Sequence, residues 1–230
     1  MNVLSDILEL IYPTHCASCL GSVSESESPI CIRCRLELPF LITNPFSNHD
    51  ELSKKFAGLL PLRHCIAFLK FEKGGSTQRL LHALKYGKRP EVGVVLGRLM
   101  VAELLSAGMK ANFDYVLPIP LHTKKLKTRG YNQAMKFAEG IAAGFKTEAN
   151  DAILIRTMAT DSQTRKGKLQ RILNVGEVFG IHPENSQLLK GKHILMVDDV
   201  LTTGSTIEAC AKLLIQEPIA SLSIATIAIA

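Results

Sequence analysis

The 230-residue chain contains no tryptophan, and aromatic residues make up only 6% of it. Proteins that grip single-stranded nucleic acid by base stacking need several exposed aromatic rings, so this composition argues against such a platform. The chain also lacks a run of about 18 uncharged apolar residues, and we therefore predict no membrane span. Residues 1–15 lack the basic start and the small-residue cleavage site of a secretory signal, which leads us to expect a cytoplasmic protein.

Hydrophobic residues make up 47% of the chain, enough for one medium-sized core and a small additional domain. The formal net charge is +6 at pH 7. This excess suits nucleic acid, an acidic surface or a polyanionic small ligand equally well. Two basic stretches stand out, and each taken alone would be explained as a solvated face. They are Lys124, Lys125, Lys127 and Arg129, and then Arg165, Lys166, Lys168 and Arg171.

Strand-like and helix-like segments alternate after residue 60, and the strand cores are fully apolar. This pattern predicts an α/β fold with a parallel sheet that helices cover on both faces. The irregular stretch 36–60 reads as a surface connector, and the stretch after the strand 115–119 as a basic loop. The predicted strands are 64–71, 115–119, 152–155, 194–197 and 222–229, and the predicted helices are 2–11, 77–85, 92–105, 132–145 and 205–215.

The stretch from Ile194 to Thr206 carries the strongest functional signal. Four apolar residues run into Asp198 and Asp199, and a hydroxyl-rich turn follows. Ligands of parallel sheets bind outside the carboxyl ends of the strands, so both carboxylates would face a ligand and accept sugar hydroxyls. Gly204 and its small neighbours, placed just before a helix, would cradle a phosphate with backbone N–H groups. The alternative, a strand that ends in a capped helix, accounts for only one of these polar residues. The turn also lacks the lysine of a Walker P-loop, so hydrolysis of a nucleoside triphosphate is not indicated.

A cationic segment and a long polar segment accompany this turn. The cations of 124–129 would face the anionic end of a ligand held by the acid pair and stabilise it as a leaving group. Arg129 suits a bidentate phosphate contact. The segment 156–175 has the length and polarity of a lid that excludes water, with a solvated surface loop as the alternative. The candidate lid residues are Gln163, Arg165, Lys166 and Arg171.

The apolar strand, the two acids and the Thr-Thr-Gly-Ser-Thr turn together resemble the phosphoribosyl pyrophosphate (PRPP) signature of type I phosphoribosyltransferases. The Arg-Gly-Tyr-Asn-Gln run at 129–133, the polar positions of the lid segment and the cysteines resemble the ComF-type family of competence and gluconate-uptake-associated proteins over about residues 5–230. Lys85-Tyr86-Gly87 also matches a segment of that family, although a helix that stops at glycine explains it equally well.

This resemblance implies a type I phosphoribosyltransferase fold and a set of site residues. Asp198 and Asp199 would hold the ribose 2- and 3-hydroxyls, Arg129 would complete the catalytic group, and Mg²⁺ would accompany PRPP. The implied PRPP-binding residues are Pro120, Leu121, His122, Lys124, Arg129, Asp198, Asp199, Val200, Leu201, Thr202, Thr203, Gly204, Ser205 and Thr206.

Four of the six cysteines form two Cys-x-x-Cys pairs, Cys16 with Cys19 and Cys31 with Cys34. The paired spacing suits a closed tetrahedral Zn²⁺ site, with an iron–sulfur cluster or free thiols as the alternatives. Such a site would stabilise a segment too short to bury a core of its own. We therefore predict a zinc-binding knuckle domain with its connector at 1–50 and a phosphoribosyltransferase domain at 51–230.

Two functions fit these expectations. The first is an enzyme that transfers the 5-phosphoribosyl group of PRPP to an unidentified nitrogenous acceptor and releases pyrophosphate. The second is a non-catalytic PRPP sensor or scaffold that meets single-stranded DNA or a DNA helicase or translocase, in keeping with the link of the ComF-type family to DNA uptake. The sequence leaves a homodimer open.

Overall fold

The computed structural model describes residues 14–23, 28–41, 51–110, 112–156 and 178–230. The predicted helix 2–11 lies outside these residues. The strands are β1 (Thr14–His15), β2 (Ser22–Val23), β3 (Leu62–Lys70), β4 (Tyr115–Pro118), β5 (Glu148–Ala149), β6 (Leu154–Arg156), β7 (Phe179–Ile181), β8 (His193–Leu201) and β9 (Ser221–Ile229). The helices are α1 (Ile32–Leu36), α2 (Glu51–Phe56), α3 (Ser76–Tyr86), α4 (Pro90–Ser106), α5 (Thr123–Arg129), α6 (Gln133–Phe145) and α7 (Ser205–Gln216), with a 3₁₀ turn at Pro183–Leu189.

Five parallel strands form the central sheet in the order β3-β9-β8-β4-β5. Strands β8 and β9 lie side by side in its middle, and their residues 194–197 and 222–228 are buried. Burial on both faces explains why these strands show no alternation of polar and apolar residues. The predicted fold class, a parallel sheet flanked by helices, is confirmed.

Two apolar cores lie on opposite faces of this sheet. Leu195 and Val197 of β8 pack with α3, α4 and α6 on one face. Ile194 and Met196 pack with α2 and α7 on the other. Successive side chains of a strand point to opposite faces, so Leu195 and Val197 serve one core and Ile194 and Met196 the other.

Helices α4 and α6 cross at a point where each helix carries glycine. A Cβ atom at Gly97 would lie 2.4 Å from the carbonyl oxygen of Phe137, and one at Gly140 would lie 2.1 Å from that of Val94. Both distances are far below van der Waals contact, so a larger residue at either position forces the helices apart.

None of the described helices combines the length and the apolar character that a membrane span requires.

The basic stretch that we predicted as a loop after β4 forms helix α5 instead. The His122 side chain caps its first turn, with Nδ1 accepting from the Lys124 backbone N–H at 3.1 Å. Gly130 ends the helix with φ at 81°. The cap at His122 and the glycine at 130 define the two ends of this helix. The sequence analysis did not recognise them because the run of cations between them suggested a loop.

The predicted strand 152–155 and the predicted connector also differ from the structure. Strand β6 pairs with β7 in a separate antiparallel ribbon, because its backbone partners are Phe179–Ile181 rather than a strand of the central sheet. The connector contains helix α2, whose Leu52 and Phe56 are buried in one of the cores. These two residues lie one helical turn apart, which places both on the face that meets the sheet.

We expect Gly97→Ala to lower the free energy of unfolding by about 3 kcal/mol, because the added methyl group meets backbone of the facing helix. Gly74→Ala serves as the control. No atom lies within 4 Å of a Cβ at Gly74, and its φ of 78° limits the loss to left-handed strain of about 1 kcal/mol. Urea denaturation measures both, and equal losses would contradict the close crossing of the two helices.

Candidate functional site

The acid pair Asp198 and Asp199 lies near the carboxyl end of β8. The backbone N–H of Asp199 donates to Asp198 Oδ1 at 2.8 Å. Asp199 Oδ1 forms an ion pair with the ammonium group of Lys85, at the end of α3, at 2.9 Å. This ion pair shows that the Asp199 carboxylate faces α3, the helix that also belongs to the core of Leu195 and Val197.

The two adjacent carboxyl groups differ in acidity. Removal from water, followed by the charge of Asp199, raises the pKa of Asp198 to about 7. The hydrogen bond from the Asp199 N–H and the charges of Lys85 and Lys125 oppose this rise. Asp198 therefore exchanges a proton near neutral pH, and the negative charge of the pair depends on pH in that range.

Residues 202–206 form the turn between β8 and α7. Gly204 adopts a φ of 82° directly before α7, a 12-residue helix. The hydroxyl oxygens of Thr203 and Ser205 lie 3.1 Å apart, and both side chains are exposed. Among the described residues no side chain caps the first turn of α7. The N–H groups at this helix end can therefore bind an anion.

Helix α2 supports this turn, a contact that the sequence analysis missed. Lys55 Nζ donates to the carbonyl oxygen of Thr202. The ring of Phe56 lies beneath Gly204, where a Cβ would come within 3.0 Å of Phe56 Cζ. Glycine is thus required at position 204 both by its positive φ and by this contact. The spacing of Leu52 and Phe56 was the available signal for a buried helix here.

A cavity of about 370 Å³ opens between α3 and α5. Its cations concentrate positive potential in one concave surface. The Arg129 guanidinium lies 5.3 Å from the centroid of the Tyr86 ring, and its Nη1 donates to Gln133 Oε1 at 2.6 Å. The lining residues are Lys85, Tyr86, Lys88, Lys124, Lys125, Thr128 and Arg129.

The junction between α5 and α6 fixes this cavity to its surroundings. The Tyr131 hydroxyl donates to the carbonyl oxygen of Leu84 in α3 at 2.6 Å. Asn132 Nδ2 donates to the carbonyl oxygen of Ile119 at 2.9 Å, while its Oδ1 accepts from the Ala134 N–H and caps α6. These bonds explain the tyrosine and asparagine of the Arg-Gly-Tyr-Asn-Gln run as structural residues beside Arg129.

The structure brings most of the predicted PRPP residues to one edge of the sheet. The acid pair, the turn 202–206 and Arg129 with Lys124 lie around the contact between Lys85 and Asp199. Pro120 and Leu121 join β4 to the His122 cap, and Val200 lies in β8. Leu201 is buried in a core, which leaves its backbone as the part that can reach a ligand. The predicted lid residues Gln163, Arg165, Lys166 and Arg171 lie outside the described residues.

Lys85, Tyr86 and Lys88 line the cavity but were absent from the predicted site. The sequence carried a signal for them in the Lys85-Tyr86-Gly87 match, which a glycine helix stop explained equally well. Gly87 does end α3, since its N–H donates to the carbonyl oxygens of His82 and Ala83. The glycine helix stop is therefore confirmed, and Lys85 and Tyr86 lie in the cavity lining.

Four cysteines meet in a knuckle formed by β1, β2 and α1. Their sulfur atoms all lie within 4.8 Å of one another, and Cys19 Sγ is 3.8 Å from Cys31 Sγ. Tetrahedral zinc with Zn–S bonds of about 2.3 Å requires sulfur separations of about 3.8 Å. The cluster of Cys16, Cys19, Cys31 and Cys34 could therefore hold a metal ion such as zinc.

Backbone N–H groups point at the sulfur of Cys16. Those of Ser18 and Cys31 each lie 3.4 Å from it. Burial opposes ionisation of this thiol, but hydrogen bonds from the backbone outweigh burial and lower the pKa of Cys16 to about 6. The thiolate is the form that binds a metal, so the fold favours the binding-competent state at this position.

The knuckle is anchored to the helices of the central body. Arg79 Nε of α3 donates to the carbonyl oxygen of Ser18 at 2.7 Å. Arg89 Nη1 donates to the carbonyl oxygen of His15. Cys16 and Cys34 belong to the same apolar cluster as residues of α3 and α4. Helix α3 therefore contacts the cysteine knuckle at its beginning and the acid pair at its end.

Residues 132–229 match the family model of the phosphoribosyl transferase domain. This part of the chain is therefore similar to the phosphoribosyl transferase domain. With the parallel sheet and its flanking helices, this match confirms the predicted type I phosphoribosyltransferase fold with a four-cysteine cluster near the N-terminus.

Relatives with curated descriptions agree with the predicted resemblance. DNA utilization protein YhgH of Escherichia coli O157:H7 is 28% identical over 148 residues, which are 63% of this chain and 63% of that protein. Competence protein F of Haemophilus influenzae is 22% identical over 213 residues, 86% of this chain and 90% of that protein. The chain thus spans 63% of the length of the first of these relatives. Among solved structures, glutamine PRPP amidotransferase from B. subtilis is 15% identical at a TM-score of 0.43, covering 63% of this chain and 30% of that one.

We expect Cys31→Ser to lower the metal bound per chain from about one ion to less than half of that, because three thiolates no longer close the tetrahedron. Inductively coupled plasma mass spectrometry of the purified protein measures the metal content. Cys65→Ser is the matched control, since Cys65 lies in β3 outside the cluster. Equal metal content in the Cys31 variant and the natural protein would contradict the four-thiolate site.

We expect Asp198→Asn to stabilise the protein at pH 8 and to leave its stability nearly unchanged at pH 4. The pKa of Asp198 is about 7 in the folded state against 3.8 as its ordinary value, so the folded state binds the extra proton between these values and loses stability as pH rises through them. The amide that replaces the carboxyl group does not titrate. The melting temperature at pH 8 should rise by about 2 °C or more.

Asp199→Asn is the control for this experiment. It also removes one charge, but it breaks the ion pair with Lys85, so the gain at pH 8 should be smaller. Differential scanning fluorimetry at both pH values measures the three proteins. A melting temperature of the Asp198 variant that differs from the natural protein equally at pH 4 and pH 8 would contradict the raised pKa.

Proposed function

We propose that this protein binds PRPP and transfers its 5-phosphoribosyl group to a nitrogenous acceptor, with release of pyrophosphate. One observation carries the proposal: an acid pair, an uncapped helix end and a cationic cavity adjoin at a single edge of the sheet. These three parts complement the sugar hydroxyls, the 5-phosphate and the pyrophosphate of PRPP. The match of residues 132–229 to the phosphoribosyl transferase domain supports the same ligand.

Asp198 and Asp199 would accept hydrogen bonds from the 2- and 3-hydroxyls of the ribose. The turn 202–206 would bind the 5-phosphate through its N–H groups, with hydroxyl donors from Thr203 and Ser205. Lys55 and Phe56 act on this step through the turn, since they hold Thr202 and Gly204 in place. Sugar and phosphate would thereby be fixed before any bond changes.

The transfer step exchanges the bond at the anomeric carbon. The bond from that carbon to the pyrophosphate oxygen breaks, and its electron pair leaves with pyrophosphate. The acceptor nitrogen supplies the pair for the new C–N bond and gives its proton to the departing pyrophosphate or to water. Arg129, Lys124 and Lys125 would stabilise the charge that develops on the leaving oxygen. Mg²⁺, when bound with PRPP, would add Lewis-acid and templating chemistry, for which carboxylate and hydroxyl oxygens are suitable ligands.

The second candidate function is a PRPP sensor or scaffold without turnover. The names of the relatives, DNA utilization protein and competence protein, favour a role in the handling of DNA. In this case the partner would be single-stranded DNA or a DNA helicase or translocase.

Under both functions we propose a knuckle unit at 1–50, with structural Zn²⁺ on its four cysteines, and a phosphoribosyltransferase unit at 51–230.

Titration of the protein with Mg²⁺ and PRPP in a calorimeter tests the site. We expect saturable binding by the natural protein and a loss of at least about 100-fold in affinity for the double variant Asp198→Asn, Asp199→Asn, because charged hydrogen-bond acceptors for the sugar are lost. Metal content should stay unchanged. Lys190→Gln is the control, since this exposed lysine precedes β8 at the opposite edge of the sheet. Retained affinity in the double variant would refute the assignment of the acid pair.

Pyrophosphate release separates the two candidate functions. The protein is incubated with Mg²⁺, PRPP and a panel of bases, amines and oligonucleotides, and pyrophosphate is followed with a coupled assay. Turnover with any acceptor supports the transferase. Saturable PRPP binding without turnover on the whole panel supports the sensor.

A further inference from the structure

Lys85 occupies the position that joins the two halves of the proposed PRPP site. It lies in the last turn of α3, and its side chain is 21% exposed. Its ammonium group contacts Asp199 Oδ1 at 2.9 Å, on the side of the sugar-binding acids. The same side chain lines the cationic cavity together with Lys124 and Arg129, on the side of the pyrophosphate.

We propose that Lys85 bridges Asp199 and the pyrophosphate of PRPP and thereby selects sugars that carry a 1-pyrophosphate. This inference rests on the proposed function and deepens it. Lys85 belongs neither to the acid pair nor to the basic segment 124–129, and the proposed function gives it no role.

The chemistry of the ammonium group permits such a bridge. A lysine ammonium offers three hydrogen-bond donors, and the contact with Asp199 uses one of them. Two donors remain for pyrophosphate oxygens in the cavity. A guanidinium group is a planar fork, whereas the compact ammonium can serve partners in several directions at once.

The backbone around Lys85 is held on both sides. The carbonyl oxygen of Leu84 accepts from the Tyr131 hydroxyl at 2.6 Å, and Leu84 itself is fully buried. Gly87 closes the helix two residues later. The side chain therefore starts from a fixed point, and less conformational entropy is lost when it binds a ligand.

The charges of the site explain why a bridge is needed. Two adjacent carboxyl groups repel an incoming pyrophosphate, and this repulsion grows as Asp198 ionises. Lys85 stands between Asp199 and the cavity, so it screens the anionic leaving group from the acid pair. Ribose 5-phosphate carries no anionic group on C1, so the two remaining N–H donors of Lys85 should add nothing to its affinity.

Calorimetric titrations of PRPP and ribose 5-phosphate, each with Mg²⁺, test this proposal. For Lys85→Met we expect a loss of about tenfold or more in PRPP affinity and a change of less than about threefold for ribose 5-phosphate. Lys190→Met is the matched control, because this exposed lysine precedes β8 and is not among the residues that line the cavity. Its PRPP affinity should fall by less than about threefold.

The outcomes separate this inference from the proposed function. If the natural protein binds no PRPP, the proposed function fails and the role of Lys85 falls with it. If the natural protein binds PRPP but Lys85→Met weakens both ligands equally, Lys85 serves Asp199 alone and the bridge is refuted. Equal PRPP losses in the Lys85 and Lys190 variants would show that Lys85 contributes only its charge, which would refute the bridge. Lys85→Gln, which keeps a polar group beside Asp199, gives the same comparison should the methionine variant fold poorly.

Discussion

The removal of the adjacent carboxyl groups of Asp198 and Asp199 from water, together with the repulsion between them, is the constraint around which this site is arranged. A parallel strand of this kind ends among apolar neighbours, where two full negative charges are costly. The structure relieves the cost by neutralising Asp199 with Lys85 and by raising the pKa of Asp198 towards neutrality. The end of α3 lies beside Asp199 and supplies the lysine that neutralises it.

Helix α3 connects parts of the molecule that the sequence presents as unrelated. Arg79 near its beginning binds the cysteine knuckle, and Leu84 near its end accepts from Tyr131 at the junction of α5 and α6. Cys16 and Cys34 share an apolar cluster with the buried face of α3. A metal ion in the knuckle would thus stabilise the surface on which α3 rests, and with it the cations at the far end of the helix. The knuckle is part of the framework of the proposed PRPP site as well as a unit with its own ligand set.

Sequence patterns predicted the local parts of this molecule well and the contacts between distant parts poorly. The four cysteines meet as their paired spacing predicted, and the acid pair and the turn 202–206 lie together at the end of β8, because each pattern is contained in one short stretch of the chain. Lys55 was missed because its partner, the carbonyl oxygen of Thr202, lies 147 positions away. Strand β6 was recognised as a strand, yet its pairing with β7 could not be read from its own three residues. Helix α5 was predicted as a loop because its run of cations drew attention away from His122 and Gly130, the residues that cap and end it.

Strand β9 follows every other described strand in the chain and yet lies between β3 and β8 in the sheet. The ladder that joins β3 to β9 connects residues 62–70 to residues 222–229, one of the longest separations in the fold. On the ribosome, β3 must wait with its backbone unpaired along this edge until residues beyond 220 have emerged. Contacts of this span close slowly because the intervening chain loses much entropy when they form. Completion of the sheet is thereby a late step in biosynthesis, and the edge of β3 that waits for β9 is the surface that a chaperone would need to cover in the interval.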